Sequence, residues 1–152
     1  MAEYVTDTDG THGLKIESGT WTPTIEGSVI AGSNVYNSVV TSGRYIKQNK
    51  IVTCWFRLVM STKDSNMEGR ARIGALPYVI RDTNALRAIL SIGYSGLITS
   101  PPEYSQITGE GVPGINSIEL RALKSGLATY RIMAPDIANN AEINGQIIYE
   151  TN

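Results

Sequence analysis

Few side chains in this sequence have the chemistry of an active site, and those that do stand apart. The lone imidazole, His12, sits beside glycine in a polar stretch, with no second imidazole in the chain to share a metal or orient a proton. Zinc sites want about four nitrogen or sulfur ligands, so His12 is assigned neither a metal nor a general-base role. Cys54 is the single cysteine, which excludes an intrachain disulfide. Its alternation with Val52, Phe56 and Leu58 puts it on the buried side of a strand, where a thiol acts as a small hydrophobe rather than a nucleophile. Asp7 and Asp9 lack the further oxygen ligands of a calcium loop and read as solvated turn residues. Glu103 and Glu110 flank a loop, where no sequence spacing fixes the carboxylate separation that glycoside hydrolysis requires. The chain is therefore read as non-enzymatic, with no catalytic residues, no metal and no cofactor.

Binding chemistry has better candidates. Aromatic rings offer an apolar face to sugars while neighbouring polar groups take the hydroxyls. On that ground Tyr94, Tyr104 and Glu103 are the candidate ligand-binding residues, the last two within the stretch from Thr99 to Gly114. That stretch, with Pro101-Pro102, Gly109, Gly111 and Pro113-Gly114, reads as the longest irregular segment, and loops of that length are often functional. Trp21, beside Pro23, is expected to plug the core at an edge strand or meet another subunit. Trp55 and Val59 are assigned to a subunit interface, because they are apolar residues on the mixed face of an otherwise amphipathic strand.

The elements that must position these residues are short strands. Fifteen glycines and six prolines, with many Ser, Thr and Asn residues, punctuate 152 residues about every ten positions. This rhythm predicts an all-β fold, an antiparallel sandwich of jelly-roll type. The strongest signal is a hairpin, residues 43–47 and 50–60, turning through Gln48-Asn49. In its second arm Val52, Cys54, Phe56, Leu58 and Met60 share the core face. Two strands are expected over 14–17 and 20–26 with a turn at Ser18-Gly19, one over 70–78, a second hairpin over 117–133 and a last strand over 143–150. Residues 82–95 suit a capped helix or a strand, and we take the strand because every neighbour is one. The first thirteen residues have no apolar period and form an extended arm ahead of one domain, residues 14–152.

Thirteen basic and fourteen acidic residues give a net charge of −1 without runs of either sign, which argues against nucleic acid. No apolar stretch approaches the roughly twenty residues that cross a bilayer, and the N-terminus lacks a secretory pattern, so membrane insertion is not expected.

Three segments together resemble a known family. Gly19-Thr20-Trp21-Thr22-Pro23-Thr24-Ile25, then Gly43-Arg44-Tyr45-Ile46-Lys47-Gln48-Asn49-Lys50-Ile51-Val52, then Arg72-Ile73-Gly74-Ala75-Leu76-Pro77-Tyr78 are similar to the C-terminal domain of many bacteriophage tail fibre and tail appendage proteins. Gly145-Gln146-Ile147-Ile148-Tyr149 looks like that family's closing strand, and Asp9-Gly10-Thr11-His12-Gly13-Leu14 resembles a lead-in of such tail proteins. Gln48 and Ala75 stand where the family pattern has glycine. The resemblance implies a homotrimeric β-sandwich in the virion, assembled in the host cytoplasm, at a fibre tip or appendage, or as a decoration. Two roles follow: a structural or trimer-registering subunit, or a module binding host-surface glycan. The scarcity of exposed aromatics favours the structural role. Because the resemblance fills most of this chain, a stand-alone subunit is expected, joined to another virion protein through residues 1–13.

Overall fold

A computed structural model describes residues 2–5, 14–82, 88–102, 104–126 and 128–152. The expectations for Asp7, Asp9, His12 and Glu103, and for a helix cap near Thr83, lie outside these residues.

Among the described residues there are twelve strands: β1 (Ala2–Val5), β2 (Leu14–Trp21), β3 (Thr24–Gly27), β4 (Val35–Tyr36), β5 (Ser42–Gln48), β6 (Ile51–Thr62), β7 (Ala71–Gly74), β8 (Ile89–Ile98), β9 (Gln106–Gly111), β10 (Ile118–Leu123), β11 (Tyr130–Arg131) and β12 (Ile137–Glu150). The fold is all-β, and each pairing is antiparallel. Ten strands follow one another in the order β1-β2-β5-β6-β12-β8-β9-β10-β7-β3, with β11 on β10 and β4 on β6. Strands β2 and β3 stand near opposite ends of that order, yet only Thr22 and Pro23 join them. A link of that length reaches about 10 Å, so the sheet must curl until its ends meet. One face then turns inward and closes on itself.

The inner face is the core. Along one cross-strand row Tyr45, Cys54, Ile147, Leu90, Gly109 and Leu120 are successive partners. Cys54, Ile147, Leu90 and Leu120 in that row are buried, as is the whole expected core side of β6, Val52 to Met60. Burial pushes the Cys54 thiol up to about 12, leaving it an inert core group.

Three local expectations are corrected, each time by a glycine, an asparagine or a shift of one residue. Ser18-Gly19 is no turn: β2 runs straight through, because a side chain at Gly19 would collide with the Tyr45 ring. The first hairpin turns at Asn49-Lys50, one residue later than expected, with Gln48 still paired to Ile51 and Asn49 at φ +53°. The stretch from Thr99 to Gly114 holds a strand, β9. Its glycines are strand residues required by close packing, since a Cβ on Gly111 would stand 2.3 Å from that of Ala88, and one on Gly109 2.6 Å from Ile118 and Leu90.

Candidate functional site: the outer sheet face

The outer face is readable as rows of directly paired residues. One row crosses nine strands as Ser18, Ile46, Thr53, Ile148, Ile89, Glu110, Glu119, Arg72 and Glu26. Its chemistry changes half-way. From β5 to β8 it is aliphatic apart from Thr53 on β6, and Ile46, Ile89 and Ile148, with Ile51 close by on β6, are exposed. From β9 to β3 it is ionic.

The ionic half pairs its carboxylates, although the Nε groups of Arg72 and Arg121 are buried without a hydrogen-bond partner among the described residues. Glu119, only 3% exposed, accepts hydrogen bonds from Arg70 Nη1 at 3.0 Å and Arg72 Nη2 at 3.1 Å. Arg121 pairs with Glu110 and approaches Glu119 at 3.8 Å. Desolvation alone would raise the Glu119 carboxyl, but the hydrogen bonds and charges of Arg70 and Arg72 outweigh it and hold the group below its ordinary range. Glu26, whose burial is less well compensated, is pushed up despite Arg72 and a hydrogen bond from Ser117.

Next to the aliphatic row lie two polar rows. Arg44, Trp55, Gln146 and Ser91 are successive partners across β5, β6, β12 and β8, and so are Ser42, Arg57, Asn144 and Tyr94. Between these rows runs a trough of about 600 Å³ lined by both, floored by the backbone of Gly43, Phe56 and Gly145. Gly43 and Gly145 are required there for a reason on the other side of the sheet. A Cβ on Gly43 would strike the Trp21 indole, and one on Gly145 would come within 2.7 Å of the Ser91 carbonyl oxygen.

Trp55 stands at the centre of this face and is 43% exposed, whereas Trp21 is 8% exposed and belongs to the chain's own core. Trp21 packs edge-on against Phe56 with ring centroids 5.9 Å apart, the first of the two placements its sequence context allowed and not a free surface for a partner. Val59 is half-buried beneath the 37–41 segment, whose Thr41 hydroxyl both accepts from and donates to the Val59 backbone. Tyr94 is exposed on β8. Tyr104 instead packs on Tyr130, centroids 5.7 Å apart, and its hydroxyl donates to the Ala128 carbonyl oxygen. Tyr94 and Tyr104 thus serve different neighbours and do not form one platform. Sequence reasoning missed the trough, because Arg44, Arg57, Asn144 and Gln146 come from strands about a hundred residues apart and meet only through the register of β12 on β6.

No protein-family model matches this sequence, and no curated protein matches it. Among solved structures, the crystal structure of the Dettilon tailspike protein (gp208) superposes with a TM-score of 0.71 at 14% identity, covering 90% of this chain and 24% of that one. The chain has a phage tail protein-like fold. It spans about a quarter of the tailspike chain it matches, so the likeness is to one portion of that protein.

Proposed function

We propose that this chain is a structural module of a phage virion, of the tail fibre or tailspike kind, working as a homotrimer whose copies meet through the aliphatic half of the outer sheet face. The observation that carries the reading is a patch of exposed isoleucines, Ile89 paired with Ile148 and Ile46 set across Thr53 from them, on a fold shared with one portion of a tailspike. A sheet face exposed to water ordinarily alternates to polar residues, whereas here Ile46, Ile51, Ile89 and Ile148 break the alternation within one patch. With Trp55 they expose on the order of 500 Å² of apolar surface, a large patch for a monomer and a substantial part of the ~800 Å² each partner contributes to a standard interface. A net charge of −1 sets no long-range repulsion between copies.

Attachment to the particle is assigned to residues 1–13, of which Ala2–Val5 already pair with β2 as the end strand of the sheet, so that a partner virion protein would add a strand to the outer edge of β1. The reading includes no catalytic step. Light scattering after size-exclusion chromatography tests it directly. The expected mass is three times the 16.5 kDa of one chain, and a monomer at all concentrations would remove the basis for the reading.

A further inference from the structure

Two copies related by a two-fold axis can meet through one patch facing its own image. Three copies around a three-fold axis cannot: each contact in such a ring is heterologous, one surface of a copy meeting a different surface of the next. A patch that serves a trimer therefore divides, away from the axis itself, into two unlike and complementary parts.

The outer face divides in this way. Strands β2, β5, β6, β12 and β8 are consecutive in the sheet, so β6 is the middle strand of five. Together they span about 19 Å. On the β12 and β8 side, Ile148 and Ile89 are direct partners and both exposed, which makes a ridge. On the other side, the outward residues of β2 are only Ser18 and Thr20, paired with Ile46 and Arg44 of β5. These short side chains beside Ile46 and Trp55 leave a hollow of about 660 Å³. Thr53 of β6 lies between ridge and hollow in the same cross-strand row. Charge agrees with shape. Arg44, which lines the hollow, is exposed and has no ion pair among the described residues, and neither β8 nor β12 contains a lysine or arginine to repel it.

We propose that the contact between copies is directional, the Ile89 and Ile148 ridge of one copy seating in the hollow of the next, with β6 nearest the three-fold axis. This pairing rests on the trimer reading above and gives each surface its partner. A second copy suits the hollow because ridge and hollow lie on one continuous face, either side of β6, and a ring covers both at once. Water then leaves the isoleucines of one copy and the Ile46 and Trp55 walls of the other in the same contact.

Mixing variants of the full chain tests the direction. Ser18→Lys fills and charges the hollow, and Ile89→Lys/Ile148→Lys charges the ridge. Light scattering, with circular dichroism on the same samples, reads each variant alone and the two together. Each alone is expected at the mass of one chain, at a concentration where the parent is trimeric. Mixed in equal amounts, they are expected to form a species of twice 16.5 kDa and no larger. The intact ridge of the first variant fits the intact hollow of the second, and the two charged surfaces cannot close the ring. A chain carrying Ser18→Glu with Ile89→Lys/Ile148→Lys is expected to regain the parent mass and to lose it as salt is raised, which covers the case of a variant that does not fold. Four results would overturn the pairing: a trimeric Ser18→Lys chain, a mixture that stays at single-chain mass, a charge-swapped chain that does not reassemble, or a parent of twice the chain mass, which would set ridge on ridge about a two-fold axis. A trimeric parent with an inert mixture rejects the pairing and leaves the trimer standing, whereas a single-chain parent rejects the trimer itself.

Discussion

The assembly reading is tested most sharply by charging the isoleucine row. Ile89 and Ile148 are directly paired across β8 and β12, 65% and 44% exposed in the single chain. Replacing both by lysine sets two ammonium groups directly opposite each other and exchanges two β-branched residues for a poorer strand former, so the stability of the chain itself should fall by about 1–2 kcal/mol. Between copies the balance differs. Each isoleucine has on the order of 100 Å² left to bury, which at ~25 cal/mol/Å² is about 2.5 kcal/mol. The pair therefore removes about 5 kcal/mol per copy, more than a thousandfold in the association constant, before any ammonium group is desolvated. Light scattering over a range of concentrations, with far-ultraviolet circular dichroism on the same samples, reads the outcome. The expected result is a folded monomer for Ile89→Lys/Ile148→Lys where the parent chain is trimeric. Substituting threonine at both positions should weaken assembly without abolishing it and guards against a folding failure. A double-lysine variant that keeps the parent mass would refute the reasoning and move the interface elsewhere.

Four further outcomes follow, two from backbone conformation at exposed positions and two from buried groups. Ala75 sits at φ +57°, where the tail fibre pattern has glycine, so Ala75→Gly should relieve left-handed strain and stabilise by about 0.5–1 kcal/mol, raising Tm by about 1–4 °C. Gly126→Ala, at φ +76° in open space, should lower it similarly in the same melting experiment. Glu119→Gln leaves two guanidinium groups against a neutral amide and should destabilise by about 2–3 kcal/mol, below the 3–5 kcal/mol of fully buried pairs because both arginines keep some solvent. Since the Glu119 carboxyl is held low in the fold, its contribution is complete above the ordinary glutamate range and is lost as pH falls through the lowered value. Denaturant titrations should therefore show the parent and Glu119→Gln curves converging in acid, and a constant gap would contradict the assigned ion pairs. Cys54, with its thiol pushed up to about 12 by burial, should resist a thiol reagent in mildly alkaline buffer and react fully once the chain is unfolded. Rapid labelling of the native chain would show that the core side of β6 is wrongly placed.

Legibility in the sequence followed the side chains and failed at the glycines. The alternation of Val52, Cys54, Phe56, Leu58 and Met60 placed the central strand and its buried face correctly, since each residue carries its own apolar signal. Gly19, Gly109 and Gly111 carry none, and a glycine demanded by a neighbour's bulk looks the same in sequence as one demanded by a turn. Only the position of Tyr45 over Gly19, and of Ala88 over Gly111, tells them apart. The candidate site failed for a related reason. Trp55 was legible as an apolar residue on a mixed face, but its neighbours Arg44 and Gln146 are set by strand register, which no local pattern encodes.

The change of chemistry along the outer row also constrains how copies would be oriented. In the ionic half, Glu119 is matched by Arg70 and Arg72, and Glu110 by Arg121, so covering that half would desolvate charges already paired and gain little. The aliphatic half has the opposite balance: water is its neighbour in the single chain, and any apolar cover improves on that. A trimer built from this fold should thus turn β5, β6, β12 and β8 toward the partner and leave β9, β10, β7 and β3 in solvent. Charge reversal at Arg72 should accordingly disturb the fold of each copy, whereas substitution at Ile148 should disturb chiefly their association. Comparing those two variants by melting temperature and by mass separates intrachain from interchain roles on a single cross-strand row.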